Sequence, residues 1–299
     1  MKVLVTGGNG FVGSNLVDRL INLGHEVVVI DNLSADTHEQ FYYNDRAVYH
    51  RLDIADYEST RDLYQGVNVV FHCAAEARIQ PSLINPIQVI KTNVLGTEVV
   101  LQCSREAGVD RVINSSTSSS YGLKNTPPLV ETMITDCLTP YSVSKVAGEE
   151  LCKLYTRLFG LKTVTLRYFN VYGYREPTKG SYATVVGLFL KQQKNNEPLS
   201  IVPDGQQRRD FTNIVDVVEA NIAAMTTEHD HWGEAFNVGT GKNYSIKELA
   251  DLISSNQMFV NPRKAESRET LADNTKMREV MKWIPTVDIK DYIKQQLNK

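Results

Sequence analysis

Tyr141-Ser142-Val143-Ser144-Lys145 is the stretch of this chain that most resembles reaction chemistry. On a helix, a tyrosine and a lysine four residues apart share one face. A free phenol titrates near pH ~10 and is a poor base at neutrality. A neighbouring ammonium favours the phenolate and lowers that value, so the pair makes a proton acceptor that works near neutral pH. The same spacing also arises by chance on solvated helix faces. It acquires meaning only if the rest of the chain brings a reactant to it.

An alternation of strands and helices would position such a pair. Apolar runs at Lys2–Thr6, Glu26–Asp31, Ala47–Leu52, Val67–His72, Arg111–Ser116 and Lys162–Tyr168 read as strands. Helical patterns lie between them at Phe11–Leu23, Tyr57–Gln65, Asn85–Ala107 and Tyr141–Phe159, each followed by a glycine suited to end it. Strands that are apolar throughout and joined by helices imply a parallel sheet covered on both faces. After Tyr168 the rhythm changes. Residues 173–209 are loop-rich apart from a helical piece at Ala183–Lys194, and Asp216 is placed to cap a helix over Val217–Met225. Ala235–Val238 reads as a further strand, and Ser245-Ile246-Lys247-Glu248 has the form of a capping box opening a helix through Ile253. Thr275–Met281 and Ile289–Gln296 read as two closing helices. The expected division is a nucleotide-binding domain over 1–172, with a returning segment near 210–238, and a smaller C-terminal lobe over most of 173–299. Ligands of open α/β sheets bind at the carboxyl ends of the strands, which that lobe would cap.

Composition excludes several classes. The 299 residues are 42% hydrophobic and 22% charged with a net charge of −3, which offers no electrostatic case for nucleic acid or an anionic membrane surface. Cys73, Cys103, Cys137 and Cys152 form no Cys-x-x-Cys and no Cys/His cluster. No metal site is therefore expected, and the thiols read as reduced and mostly buried, as in a cytoplasmic protein. The chain opens on a strand rather than a basic-then-apolar leader, and no apolar run approaches the length of a membrane span.

Thr6-Gly7-Gly8-Asn9-Gly10-Phe11-Val12-Gly13 joins the first strand to the first helix. Gly7, Gly10 and Gly13 are spaced G-x-x-G-x-x-G. Missing Cβ atoms permit the tight turn and let the amides around Phe11 and Val12 approach a pyrophosphate at a helix N-terminus. Asp31, followed by Asn32, ends the second strand. A carboxylate there accepts hydrogen bonds from ribose hydroxyls and repels a 2′-phosphate, which favours NAD over NADP. Asp53 and Ile54, after the third strand, suit the adenine end. The whole is a Rossmann-type doubly wound parallel sheet with a substrate-capping lobe.

The glycine turn and Tyr-x-x-x-Lys together resemble the short-chain dehydrogenase/reductase superfamily, in its extended branch of nucleotide-sugar epimerases and dehydratases. The likeness runs along nearly the whole chain. It includes Asp31-Asn32-Leu33-Ser34, His72-Cys73-Ala74-Ala75, Asn93-Val94-Leu95-Gly96-Thr97, Tyr168-Phe169-Asn170-Val171-Tyr172-Gly173, Arg209-Asp210-Phe211 and Leu271-Ala272-Asp273. The resemblance implies bound NAD, with Ala74, Ala75, Asn93 and Tyr168 contributing to its site. It implies an active Thr117–Tyr141–Lys145 set, because the family's hydroxyl residue lies four before the tyrosine of Tyr121-Gly122. Ser116 and Ser118 are alternatives for that hydroxyl. It also implies a nucleotide-sugar substrate and a homodimer whose seam pairs the two long helices through Val94, Leu95, Val99, Val100, Leu151, Leu154 and Leu158.

The residues after Thr117 bear on reaction type. Dehydratases of the family carry an acid pair there because elimination of water needs an added acid and base. This chain has Ser118 and Ser119. Oxidation and re-reduction at the sugar C4 remains, with Tyr141 taking a proton and returning it. For the substrate, the resemblance implies Arg209 and Arg263 at the diphosphate, Asn170 as an amide donor, Val185 and Ile201 along the nucleotide side, and Glu266 on the ribose. Thr270 takes the place of a gatekeeper and leaves room for a 2-N-acetyl group. Arg78 departs from the family's Ser-Val-Pro-Arg-Ser pattern and suits a uronate carboxylate as well as solvent. UDP-hexoses, UDP-N-acetylhexosamines and UDP-glucuronate are all open as substrates. A dehydratase or reductase, and a non-catalytic NAD sensor, are the rival readings.

Overall fold

Six strands in the first 168 residues pair side by side. They are β1 (Lys2–Thr6), β2 (Glu26–Ile30), β3 (Val48–His50), β4 (Val69–His72), β5 (Arg111–Thr117) and β6 (Lys162–Tyr168). The computed structural model describes residues 1–35, 40–77, 79–180, 183–262 and 267–298. All strand pairs of the sheet are parallel, in the order β3-β2-β1-β4-β5-β6, and Ala235–Val238 adds a seventh strand beside β6. The chain reverses direction across the sheet between β1 and β4. In such sheets the crevice at the carboxyl ends beside that switch is where ligands bind.

Helices cover both faces because the strands are apolar on both. On one side Leu16 and Leu20 of the helix Phe11–Asn22 meet Val217 and Ala224 of the helix Ile214–Thr226 over Val3, Val5 and Phe71. On the other, Val100, Leu101, Cys152 and Tyr155 pack over Leu4, Val70 and Val112. Each fully buried Leu, Val or Phe contributes about 1.5–3 kcal/mol. These two layers hold the platform that carries the site. A third core gathers Tyr172, Phe189, Leu199, Phe211, Leu249 and Ile293 beyond the sheet.

The helix expected over Asn85–Ala107 is interrupted. It runs as Pro86–Ile90, a π turn at Lys91–Leu95, and Gly96–Glu106. Val99 and Val100, expected on an outer seam, are buried against the sheet, whereas Leu95 and Leu158 are exposed. The loop-rich stretch after 173 contains two short strands. Leu199–Ile201 pairs with Gln257–Phe259, and Arg208–Asp210 pairs with Asn243–Ser245. The capping box at Ser245 and Glu248 is present. Of the four free cysteines, only Cys103 and Cys152 are fully buried. Among the described residues no helix is long and apolar enough to cross a membrane, and no cluster of His, Cys, Asp or Glu could hold a metal ion.

Asp216 does not cap its helix. Asn213 does, accepting the Val215 amide at 3.0 Å. The buried Asp216 carboxylate instead takes the Thr286 amide at 2.8 Å, the Thr286 hydroxyl at 2.9 Å and the Val287 amide at 3.1 Å, so it pins the C-terminal segment to the sheet layer. Removing the acceptor breaks three hydrogen bonds to a charged group and frees the segment at Thr286 and Val287. Asp216→Ala is expected to destabilise the protein by about 2–4 kcal/mol, read from urea-unfolding midpoints. An unchanged midpoint would rule out this anchor.

Candidate active site

The carboxyl ends of β1, β4, β5 and β6 open into one cleft with a cavity volume of about 500 Å3, within the usual span for small-molecule sites. The two ends of that cleft are built by different devices.

At one end stands the glycine turn. Gly7 has φ +70°, and a Cβ on it would sit 2.7 Å from both Cα and N of Ala74 in the loop after β4. A Cβ on Gly13 would lie 2.1 Å from the Gly7 carbonyl oxygen. Only bare backbone lets the turn, the helix start and the β4 loop come this close. The helix Phe11–Asn22 begins at Gly10 with no side-chain cap, so its first amides are left for an anion. Asp31 closes this end: its Oδ2 accepts the Asn9 amide at 3.0 Å and its Oδ1 the Leu33 amide at 2.9 Å. A carboxylate oriented in this way retains lone pairs for ribose hydroxyls. Gly7, Gly10, Phe11, Val12, Gly13, Asp31, Asn32, Ile54, Ala74, Ala75 and Tyr168 all line the cleft. The cradle fits a dinucleotide such as NAD.

Two residues expected around the cofactor are not part of the cleft lining. Asp53 accepts the Ala55 amide at 3.0 Å and faces Lys91 at 3.6 Å, and its neighbours Leu52 and Ile54 line the cleft instead. Asn93, 2% exposed within the π turn, donates to the Glu76 carbonyl at 3.0 Å and to Ser144 Oγ at 2.9 Å, and accepts the Glu76 amide at 2.8 Å. It ties the β4 loop to the helix Pro140–Phe159.

That helix carries Tyr141 and Lys145, the residues expected to react. Thr139 and Ser142 exchange capping hydrogen bonds at its start, Pro140 occupies the first turn, and Gly160 ends it at φ +71°. Tyr141 and Lys145 both line the cleft. Lys145 is 6% exposed, and burial pulls its ammonium down to about 8 against the opposing influence of Cys73, Glu149 and Cys152. Burial and the nearby Lys145 pull His72 down to about 3. The imidazole therefore stays neutral, bonded to Thr6 Oγ1 at 2.8 Å and Thr97 Oγ1 at 2.9 Å. Thr117, at the end of β5 and opposite Tyr168 of β6, faces the same cleft. Its Oγ1 accepts the Ser119 amide at 3.1 Å and donates to Ser119 Oγ at 3.2 Å. A substrate hydroxyl would take over the second bond.

At the far end, Arg209, Asn170, Val185 and Thr270 line the cleft. Asn170 sits at φ +34°, a left-handed turn that asparagine tolerates. It donates to the Asp210 carbonyl at 2.9 Å and to Thr270 Oγ1 at 3.2 Å. Arg209 donates to the Arg208 carbonyl at 2.9 Å. Asp210 anchors this strand through donors on Thr240, Gly241 and Ala272. Ile201 is buried behind the wall, and Ser200 and Val202 line it in its place. Arg78, Arg263 and Glu266 lie outside the described residues.

Several lining residues had no motif to announce them. Glu76 comes from the loop after β4, Gln80 from the short helix Ile79–Ile84, and Gln207 from the position just before the strand Arg208–Asp210. The period of two along residues 207–209 was the available signal for Gln207. Gly13→Ala is expected to weaken NAD binding by about tenfold or more, measured by calorimetric titration. Wild-type affinity in that variant would mean that the turn is not the cradle.

A family model described as the NAD dependent epimerase/dehydratase family matches residues 3–239. A UDP-glucose 4-epimerase of Mycolicibacterium smegmatis is 35% identical over 304 residues, spanning 98% of this chain and 96% of that protein. Among solved structures, the UDP-glucose 4-epimerase of Thermotoga maritima with UDP-glucose superposes with a TM-score of 0.93 at 34% identity, covering 100% of this chain and 98% of that one. The UDP-N-acetylglucosamine 4-epimerase of Methanobrevibacter ruminantium, in complex with UDP-N-acetylmuramic acid, gives a TM-score of 0.92 at 28% identity, covering 99% and 97%.

Proposed function

The chain belongs to the NAD-dependent epimerase/dehydratase family, and on that premise we propose that Tyr141, Lys145 and Thr117 invert C4 of a UDP-sugar through a transient 4-keto sugar. The observation that carries the reading is convergence: all three residues face one cleft whose other end holds the glycine turn and Asp31.

NAD, held by the glycine turn and Asp31, would supply a reversible hydride acceptor for the sugar C4. The protein's own residues handle the proton and the geometry. Thr117 hydrogen-bonds the sugar O4 and presents its proton to Tyr141. The Tyr141 phenolate takes that proton, and Lys145 stabilises the phenolate by charge. After the keto sugar turns over, Tyr141 gives the same proton back. Residues 118 and 119 are serines, so the acid pair that dehydration needs is missing from those positions.

Arg209 and Arg263 hold the diphosphate, and Glu266 the ribose. In this reading residues 1–172, with the returning segment near 210–238, bind NAD, and most of 173–299 binds the nucleotide sugar. Thr270 leaves room for either a 2-hydroxyl or a 2-N-acetyl group. Among the described residues the lining carries the carboxylates of Asp31 and Glu76 beside the cations Lys145 and Arg209, a balance that favours a neutral hexose over a uronate, while Arg78 lies outside the described residues. A second copy of the chain covers the exposed Ile87, Leu95 and Val143 along the two long helical segments, forming a homodimer. The four unpaired thiols suit a reducing cytoplasm.

Purified protein given UDP-glucose, UDP-N-acetylglucosamine and UDP-glucuronate is expected to invert C4 of the two neutral sugars, followed by NMR of the products. Tyr141→Phe is expected to lose activity by at least about 100-fold while still binding the nucleotide sugar. No inversion of any substrate, or full activity in Tyr141→Phe, would sink the reading. Lys145 acts in its charged form, so kcat should fall as the pH rises through about 8. A kcat still rising well above that pH would remove Lys145 from its role.

A further inference from the structure

One ionisable side chain on the reaction helix remains without a part in this chemistry. Glu149 follows Lys145 by one turn and so lies on the same helix face. It is 7% exposed and is not among the residues that line the cleft. Its Oε1 accepts the Ser116 hydroxyl at 2.5 Å. The Arg167 guanidinium reaches it through Nε at 3.0 and 3.2 Å and through Nη2 at 2.6 Å.

These partners are not arbitrary positions. Ser116 and Arg167 are register partners on β5 and β6, and the next pair along is Thr117 and Tyr168. One carboxylate on the reaction helix thus grips both strands one residue before they deliver side chains into the cleft. Arg167 in turn lies over the Tyr121 ring at 4.9 Å, and Tyr121 donates to Asn237 at 2.7 Å. The grip therefore also fixes the far side of the loop that follows Thr117. Replacing a buried ion pair by well-packed apolar residues is often neutral or stabilising, so stability alone does not account for this one.

We propose that Glu149 is a positioning residue for the reaction, setting the distance from Thr117 to Tyr141 and supplying the buried negative charge that keeps Lys145 protonated. This rests on the epimerase reading above. The groups facing Lys145 support the second role. Cys73 and Cys152 are pushed up by burial to about 11 and about 12 and carry no charge at neutral pH, and His72 is neutral. Of the three side chains that favour the charged lysine, Glu149 is the carboxylate, and the Arg167 guanidinium pairs with it.

The test is the pH profile of kcat, followed by NMR of the product, for NAD-loaded wild type, Glu149→Gln and Glu149→Asp, with circular dichroism to confirm folding. Glu149→Gln keeps an acceptor for Ser116 and removes the charge. Its alkaline limb should move down by about one pH unit, and kcat should fall about tenfold with KM unchanged. Glu149→Asp keeps the charge and shortens the reach, so kcat should fall with the limb in its wild-type place. A purely structural role would lower the melting temperature and leave the limb where it was. A folded Glu149→Gln with wild-type kcat and limb overturns the proposal. If Glu149→Gln does not fold, wild-type kcat in Glu149→Asp overturns it, and reduced kcat at an unmoved limb upholds the positioning role. A wild type that inverts no sugar fails the epimerase reading and the Glu149 role together. An active wild type with indifferent variants fails Glu149 alone.

Discussion

The structure depends on holding one ammonium, Lys145, charged in a place almost closed to water. Burial works against it and brings it down to about 8. The same burial makes it useful, because a charge acts further where little solvent screens it. A phenolate beside an exposed lysine would gain little. Beside this one, the proton exchange proposed between Tyr141 and a sugar hydroxyl becomes feasible at neutral pH. The neighbours are consistent with that demand: the uncharged thiols of Cys73 and Cys152 and the neutral imidazole of His72 lie around it, and the Glu149 carboxylate, paired with Arg167, stands one turn further along the helix.

A continuous run of hydrogen bonds ties the helix turn that precedes Lys145 to the cofactor cradle. It starts at Thr6, the last residue of β1 before the glycine turn, and passes through His72 and Thr97. Thr97 donates to the Asn93 carbonyl at 2.6 Å, Asn93 donates to Ser144, and Ser144 donates to the Tyr141 carbonyl at 2.8 Å. The π turn at Lys91–Leu95 directs the Asn93 side chain into this run. π turns are often found where a helix must aim a side chain at a functional site. Cradle and proton acceptor are thereby coupled through buried, fully partnered groups rather than through mobile loops.

Most of this was legible in the residues where one physical signal was strong and local. The strand and helix alternation to Tyr168, the glycine turn, Asp31 and the Tyr141–Lys145 spacing each follow from periodicity, missing Cβ atoms or charge. The illegible parts depend on tertiary partners. Leu199–Ile201 and Arg208–Asp210 are three residues long and exist because of the strands beside them, so no alternation marks them. Asp216 has the chemistry of a cap but spends its carboxylate on Thr286 and Val287, seventy residues away. Asn93 and Ile201 were assigned to the right wall of the site but stand one layer behind its surface, and Asp53 lies beside the wall, turned to Lys91. Glu149 reads from sequence as an ordinary helix glutamate. Its importance appears only when β5 and β6 are seen to place Ser116 and Arg167 beside it.

The central claim is that Tyr141 and the cofactor cradle serve one oxidation and its reversal at a single carbon. The most direct measurement is the fate of deuterium placed at C4 of UDP-glucose, turned over in ordinary water. The account predicts that the C4-inverted product keeps the label at C4. Loss of the label to solvent, or its appearance at C6, would contradict it.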